Sequence, residues 1–281
     1  VATIAGIDAR RFWTVWLAAP LGCVLLALAA VRGFEWDSAL GAALYRWQGG
    51  SWALKEQPLL AHWLHTVARN LSLTLWLAVV AAWLWARWLA PAAAAPWPAA
   101  GRNGMAARLV RHRRELGYLA LVVGLAALSI SVLKRASAIH CPWDLAEFGG
   151  RMPHLGIWEG FFGGFRPKGH CFPAGHASSA YAWLALPLAL RSAGAGRAGV
   201  RAALLVVLAA GLLLGGVQQL RGAHLLSHDL FTLGCCWLVA CVGAALGLRG
   251  SAAGRGVLAA GSSAPPQTDA ALTGAARRPT R

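Results

Sequence analysis

Acidic side chains are scarce in this chain: 10 Asp and Glu stand among 281 residues, against 26 Lys and Arg. Charged residues of both signs reach only 13%, roughly half the share of an ordinary soluble domain, which excludes that class. A cysteine framework is also missing. Cys23, Cys235, Cys236 and Cys241 fall inside apolar runs, where a thiol packs as a small hydrophobe, so the six cysteines do not build a metal site. No basic patch is interleaved with stacking aromatics in a recognisable module, so the net charge of +16 does not read as nucleic-acid binding. No repeat period is visible either, which leaves one domain.

Apolar sequence is what the chain has in quantity. Hydrophobic residues make up 58%, with fifteen tryptophans, and several runs are long enough to span a bilayer. The reading is an all-α polytopic membrane bundle of about six transmembrane helices, over 12–31, 70–90, 116–132, 176–190, 202–220 and 229–248. The first run reads as an uncleaved signal anchor. Segment 32–69, with Trp36, Trp47, Trp52 and Trp63, reads as an amphipathic interfacial stretch with belt tryptophans. Residues 1–248 form one membrane-embedded domain, and 249–281, rich in Ala, Gly, Ser, Pro and Arg, is predicted to be a disordered basic tail. With the amino terminus inside, 16 of the 26 basic residues but only 3 of the 10 acidic ones fall on the cytoplasmic side. The positive-inside rule then places both termini in the cytoplasm.

Three polar clusters interrupt the apolar pattern, all on the opposite side: 134–144, 169–179 and 221–229. Ionisable residues at membrane depth are expensive and tend to be functional. Lys134 closes the third span, and a snorkelling helix end is an equal reading. Pro173-Ala174-Gly175-His176 opens the fourth span. Glycine there lets an anion approach the unpaired first amides of a helix, and a histidine can protonate a leaving group. His176 reads equally as a capping or interfacial residue. His224 followed by Asp229 offers an imidazole nucleophile or base with an orienting carboxylate. His228 lies four residues from His224, so the two could share a helical face and bind a metal with Asp229. His228 is alternatively the histidine that Asp229 orients. His140, His154 and His170 read as loop histidines, and His62 and His65 as interfacial ones. Cys141 and Cys171 share the large polar loop; whether they pair is left open.

Together these residues resemble the type 2 phosphatidic acid phosphatase (PAP2) superfamily of membrane phosphatases. That family carries Lys-x6-Arg-Pro, Pro-Ser-Gly-His and Ser-Arg-x5-His-x3-Asp around a six-span, haloperoxidase-like core. Here Lys134 is followed by Cys141-Pro142, then Pro173-Ala174-Gly175-His176, then His224 and Asp229, so the resemblance covers 115–248. Cys141 stands at the first-motif arginine position, Ala174 at the serine, and Gln218 at the third-motif arginine. The aspartate lies five residues after His224 instead of four. A bacterial branch of the superfamily has similar Cys-Pro-Trp-Asp, Pro-Ala-Gly-His and Arg-Gly-Ala-His-x-x-Ser-His-Asp stretches, so the departures resemble a variant site.

The resemblance implies a metal-independent lipid phosphate phosphatase of the bacterial inner membrane, its active site facing the periplasm. His224 would be captured as phosphohistidine, His176 would protonate the departing oxygen, and Asp229 would support catalysis. Lys134, Gly175, Arg221, Arg135 and His228 would bind the phosphate, with Arg221 replacing a missing motif arginine (Arg151 is a further candidate). The expected partners are a lipid-linked phosphate and membrane lipids, with no cofactor. A phosphotransferase with the same site, a non-catalytic lipid-binding or transport protein, and a metal-dependent membrane hydrolase stay open at this level.

Overall fold

The computed structural model describes residues 2–89, 104–164 and 168–251, the side chains of His65 and Ser251 excepted. It opens with β1 (Ala2–Ile4) and β2 (Ile7–Asp8), continues through nine helices among the described residues, and ends with β3 (Arg249–Ser251). The helices are α1 (Ala9–Gly33), α2 (Trp36–Trp47), α3 (Leu59–Leu89), α4 (Met105–Arg111), α5 (Arg113–Ala136), α6 (Ile157–Phe162), α7 (175–192), α8 (Arg197–Leu220) and α9 (Leu226–Gly247). Among the described residues α1, α3, α5, α8 and α9 are long and apolar enough to cross a membrane.

The expected span at 176–190 is broken instead of uniform. It runs as helix Gly175–Tyr181, a 3-10 turn at Ala182–Leu184, and helix Ala185–Ser192. Pro187 explains the break, because it cannot donate to the carbonyl four residues back and its ring crowds that turn. The second span begins at Leu59, not at 70, in a π-helical stretch (Leu59–Val67) continuous with α3. Segment 32–69 is thus divided between the end of α1, α2, a loop and the start of α3. Trp36, Trp47 and Trp63 are exposed there, whereas Trp52 is half-buried, its ring lying where a Cβ on Gly222 would sit. The tail expected from 249 starts in order: β3 pairs antiparallel with β1 (Ala2 opposite Ser251, Ile4 opposite Arg249), and β1 pairs with β2. The remainder of the tail, 252–281, and the loop stretch 90–103 lie outside the described residues.

α5, α8 and α9 bury 44%, 33% and 44% of their most apolar stretch, against 6% and 0% for α1 and α3. The core is therefore built by α5, α7 and α9, with α8 against α7 and with α1 and α3 outside. In lipid the apolar effect does not distinguish a helix face from the acyl chains, so close packing and hydrogen bonds between helices decide the arrangement. Tyr181 of α7 fits because Gly211 of α8 has no side chain at the contact. The Trp76 indole donates to Ala120 O (2.8 Å), and the Tyr118 hydroxyl to Ala240 O (2.8 Å). Such bonds between spans are worth about 0.6 kcal/mol each. Pro20 leaves the Trp16 carbonyl without its usual helical donor, and the Trp237 indole supplies one at 2.7 Å.

Candidate active site

The topology brings the three polar clusters to one end of the bundle. Lys134 lies in the last turn of α5, His176 in the first turn of α7, His224 in the turn between α8 and α9, and His228 and Asp229 in the first turn of α9. Residues 137–164 and 168–172 cover them. This cover is tied to the His224 turn by Trp143 N–H donating to Gly222 O (3.1 Å). Cys141 and Cys171 form a disulfide (Cα–Cα 5.1 Å), and Cys171 Sγ lies 3.3 Å from Ala223 O. Gly222 adopts φ +71°, a conformation open to glycine, which turns the chain into Ala223-His224 beneath Trp52.

His224 is 3% exposed and His228 2%. Their Nδ1 atoms are 3.4 Å apart, so one ring donates and the other accepts. The Phe172 ring meets His228 edge-to-face at 5.1 Å and closes the apolar side of the pocket. Burial, with Lys134, His228 and His176 around it, holds the His224 imidazole well below its usual pKa range. The ring is therefore neutral at pH 7, with a hydrogen bond to the Cys171 backbone beside the His228 contact. Lys134 is half-buried, and its ammonium has no carboxylate partner among the described residues. Its Nζ sits 3.4 Å from where a Cβ on Gly175 would be. A cation and the first turn of α7, whose amides have no intrahelical acceptor, therefore face one small space.

Asp229 occupies a different place from the one expected. Its Oδ2 accepts from the Gln219 amide, and its carboxylate lies against Gly215 of α8, where a Cβ would approach Oδ2 at 2.6 Å. Its Oδ1 has no hydrogen-bond partner among the described residues. The hydrogen bond expected between His224 and Asp229 is absent, and His228 takes the place beside His224. Likewise, His224, His228 and Asp229 do not gather as a three-donor metal set among the described residues. The physical reason is helical phase. Asp229 follows His228 directly, so it points about 100° away around α9, toward α8.

Arg221, expected to replace a motif arginine, is buried and already engaged. Its Nε donates to Lys55 O (2.8 Å) and its NH1 to Gln218 Oε1 (3.1 Å). Burial lowers its pKa and Glu56 opposes the shift. Gln48 works with it, donating to Leu220 O (2.9 Å) and accepting from Leu54 N–H (2.9 Å), so the loop before α3 is fastened to the end of α8. Arg135 is exposed and makes no hydrogen bond or ion pair among the described residues. Arg151 is exposed as well. The loop histidines serve the cover: His154 pairs with Glu147 (2.8 Å), and His170 Nδ1 lies 3.2 Å from Lys134 O at the end of α5.

Two contributors escape the sequence motifs. The Thr232 hydroxyl accepts from Ala174 N–H (2.9 Å) and donates to His228 O (2.8 Å), which fixes the Pro173-Ala174-Gly175 turn against α9. Its only signal is its position four residues after His228, on the same helical face. Asp37 of α2 accepts from Ser227 N–H (2.9 Å) across 190 residues of sequence and so caps α9. No local pattern marks it.

Comparison with curated proteins and with solved structures gives no match. The family model described as PAP2 superfamily matches residues 115–248, the stretch that contains α7, α8, α9, nearly all of α5 and every residue of the histidine cluster. The core of this chain belongs to the PAP2 superfamily.

Proposed function

We propose that the chain hydrolyses a lipid-linked phosphate or diphosphate on the non-cytoplasmic face of the membrane, through a phosphohistidine intermediate on His224. Membership in the superfamily supports phosphatase-type activity. The observation that carries the finer reading is the cluster itself: a buried neutral imidazole, a second histidine at a helix start, and a lysine without a carboxylate partner among the described residues. With Nδ1 of His224 donating to His228, its Nε2 holds the lone pair that attacks phosphorus. The bond from phosphorus to the lipid-side oxygen breaks, and His176 gives that oxygen a proton. A water deprotonated by His176 then attacks the phosphohistidine, returning free His224 and inorganic phosphate. Lys134 and the first amides of α7 meet the negative charge on the equatorial oxygens. Here His228 orients His224, the role first expected of Asp229.

Three further features support the placement and the substrate class. The cluster lies at an end of membrane-crossing helices, where a lipid can keep its tail in the bilayer. Trp158 and Phe162 of α6 are 75% and 68% exposed, with ring centroids 4.5 Å apart, and suit the headgroup level at that end. The disulfide over the site fits an oxidising compartment, in agreement with the charge bias between the two sides. The test is phosphate release from a panel of phosphatidate, isoprenyl diphosphate and phosphatidylglycerol phosphate by the purified chain in detergent, with and without EDTA and beside His224→Ala. Release that ignores EDTA and disappears in the variant supports the reading. Release that survives His224→Ala overturns it, and phosphate transferred to an added lipid alcohol instead of water would make the enzyme a phosphotransferase.

A further inference from the structure

At the end of the bundle opposite His224, α3, α5 and α9 part to leave a groove of about 610 Å³. Glycine makes it: Gly117, Gly243 and Gly247 line its floor, and Trp83 lies over Gly117, where a Cβ would come within 2.6 Å of the indole nitrogen. Its walls carry Leu121, Leu125 and Leu246, which are 56%, 52% and 75% exposed and so look out toward the lipid side. Arg87, Arg113 and Arg114 stand at its mouth, and no acidic residue among the described residues lines it. Neither ion pair among the described residues involves these arginines. Arg114 spends two donors on the carbonyls of Gly247 and Arg249, holding the rim, and Arg113 spends one on Val110 O (3.0 Å). Arg87 makes no hydrogen bond among the described residues.

We propose that this groove binds an anionic phospholipid of the leaflet opposite the His224 cluster, its phosphate held by Arg87 and Arg113 and an acyl chain laid along Leu121, Leu125 and Leu246. Charge complementarity selects that occupant. A positive mouth above an apolar trough matches a lipid with one or more negative charges at its head, and basic pockets between spans are sites of this kind. The chain's own tail is a poor fit, since 252–281 holds Arg255, Arg277, Arg278 and Arg281 against Asp269 alone. A zwitterionic lipid would fill the trough without drawing on the uncompensated arginines. With the charge bias between the two sides, the leaflet is the cytoplasmic one.

The experiment is native mass spectrometry of the purified full chain with phosphatidylglycerol and phosphatidylcholine of identical acyl chains. It compares the parent with Arg87→Gln/Arg113→Gln, Leu125→Trp and His224→Ala, each checked for folding by its melting curve. Phosphatidylglycerol binds the parent more tightly than phosphatidylcholine, and the double arginine variant loses about tenfold or more of its phosphatidylglycerol affinity. Leu125→Trp weakens both lipids by filling the trough, and so serves where the arginine variant does not fold. His224→Ala leaves binding unchanged, which separates this site from lipid held at the catalytic end. The proposal is overturned by equal affinity for the two lipids, by full binding in the folded arginine variant or in Leu125→Trp, or by loss of binding in His224→Ala. Displacement by soluble glycerol 1-phosphate would also overturn it, showing an ion site without a lipid.

Discussion

At the His224 end of the bundle, ionisable groups are buried under a loop; at the opposite end they are many and exposed. Lys134, His224 and His228 sit beneath residues 137–164 and 168–172, whereas Arg87, Arg113 and Arg114 stand in the open and reach for backbone carbonyls or, for Arg87, for no hydrogen-bond partner among the described residues. The two ends use charge differently because their dielectric surroundings differ. Exposed arginines are screened by water, so their number sets orientation in the membrane and attracts anionic headgroups. A half-buried lysine beside a neutral imidazole is less screened, so one charge there does what several do outside. A substitution at the site end should therefore cost far more activity than any charge removed from the other.

The largest effect expected is from His224→Ala. Removing the proposed nucleophile should lower phosphate release by about 10⁴-fold or more, and labelled phosphate should no longer be trapped on the protein after acid-free quenching. Residual turnover within tenfold of the parent would remove His224 from the chemistry. Lys134→Ala comes next, at about 10²–10³-fold in kcat/KM, with kcat and KM both affected because the ammonium meets phosphate in the ground and transition states. A change in KM alone would reduce Lys134 to a docking charge. These two variants also test the comparison between the ends, since neither should alter anionic-lipid binding in the groove between α3, α5 and α9.

Much of the site end was legible in the sequence, for a definable reason. Lys134, His176 and His224 each stand at the junction of an apolar run and a polar loop, and that junction fixes their depth in a bundle. Partner identity was not legible. Asp229 bonds Gln219, Arg221 reaches back to Lys55, and Asp37 caps α9, and the last two join residues more than 160 positions apart in sequence. Only α9's own helical phase could have shown that Asp229 faces away from His224, and the start of that helix at Leu226 is not marked by a strong local signal. The broken α7 was half legible, because Pro187 was visible but the neighbours that stabilise a 3-10 turn were not. The pairing of 2–4 with 249–251 was invisible, since three-residue strands have no periodicity to read.

Thr232→Val is a smaller and more pointed test, since it keeps the side-chain shape and removes only the hydroxyl. The buried Ala174 N–H then loses its acceptor, which costs about 1–3 kcal/mol in stability. If Thr232 only holds the fold, kcat follows the folded fraction. If it sets the register of His176 against His228, kcat falls further for substrates with poor leaving groups, and Thr232→Ser restores it. Equal losses for good and poor leaving groups would leave Thr232 a structural residue.

The smallest effect concerns pH, and it follows from burial of a single ring. His224 in the folded chain binds its proton more weakly than a free side chain, because it is buried and Lys134, His228 and His176 surround it. Between that lowered pKa and the ordinary value of about 6.5, the unfolded chain carries a proton that the folded chain lacks. Stability should therefore be insensitive to this residue above about pH 6.5 and should fall as pH drops below it. Arg113→Gln, at the screened end, should leave that slope untouched. His224→Gln should remove this residue's share of it, because the replacement does not titrate. Melting curves of the parent and of both variants between pH 5 and 8 check this. A parent slope unchanged in His224→Gln would show that His224 stays exchangeable with water, and the contrast between a buried end and a screened one would then fail at its central residue.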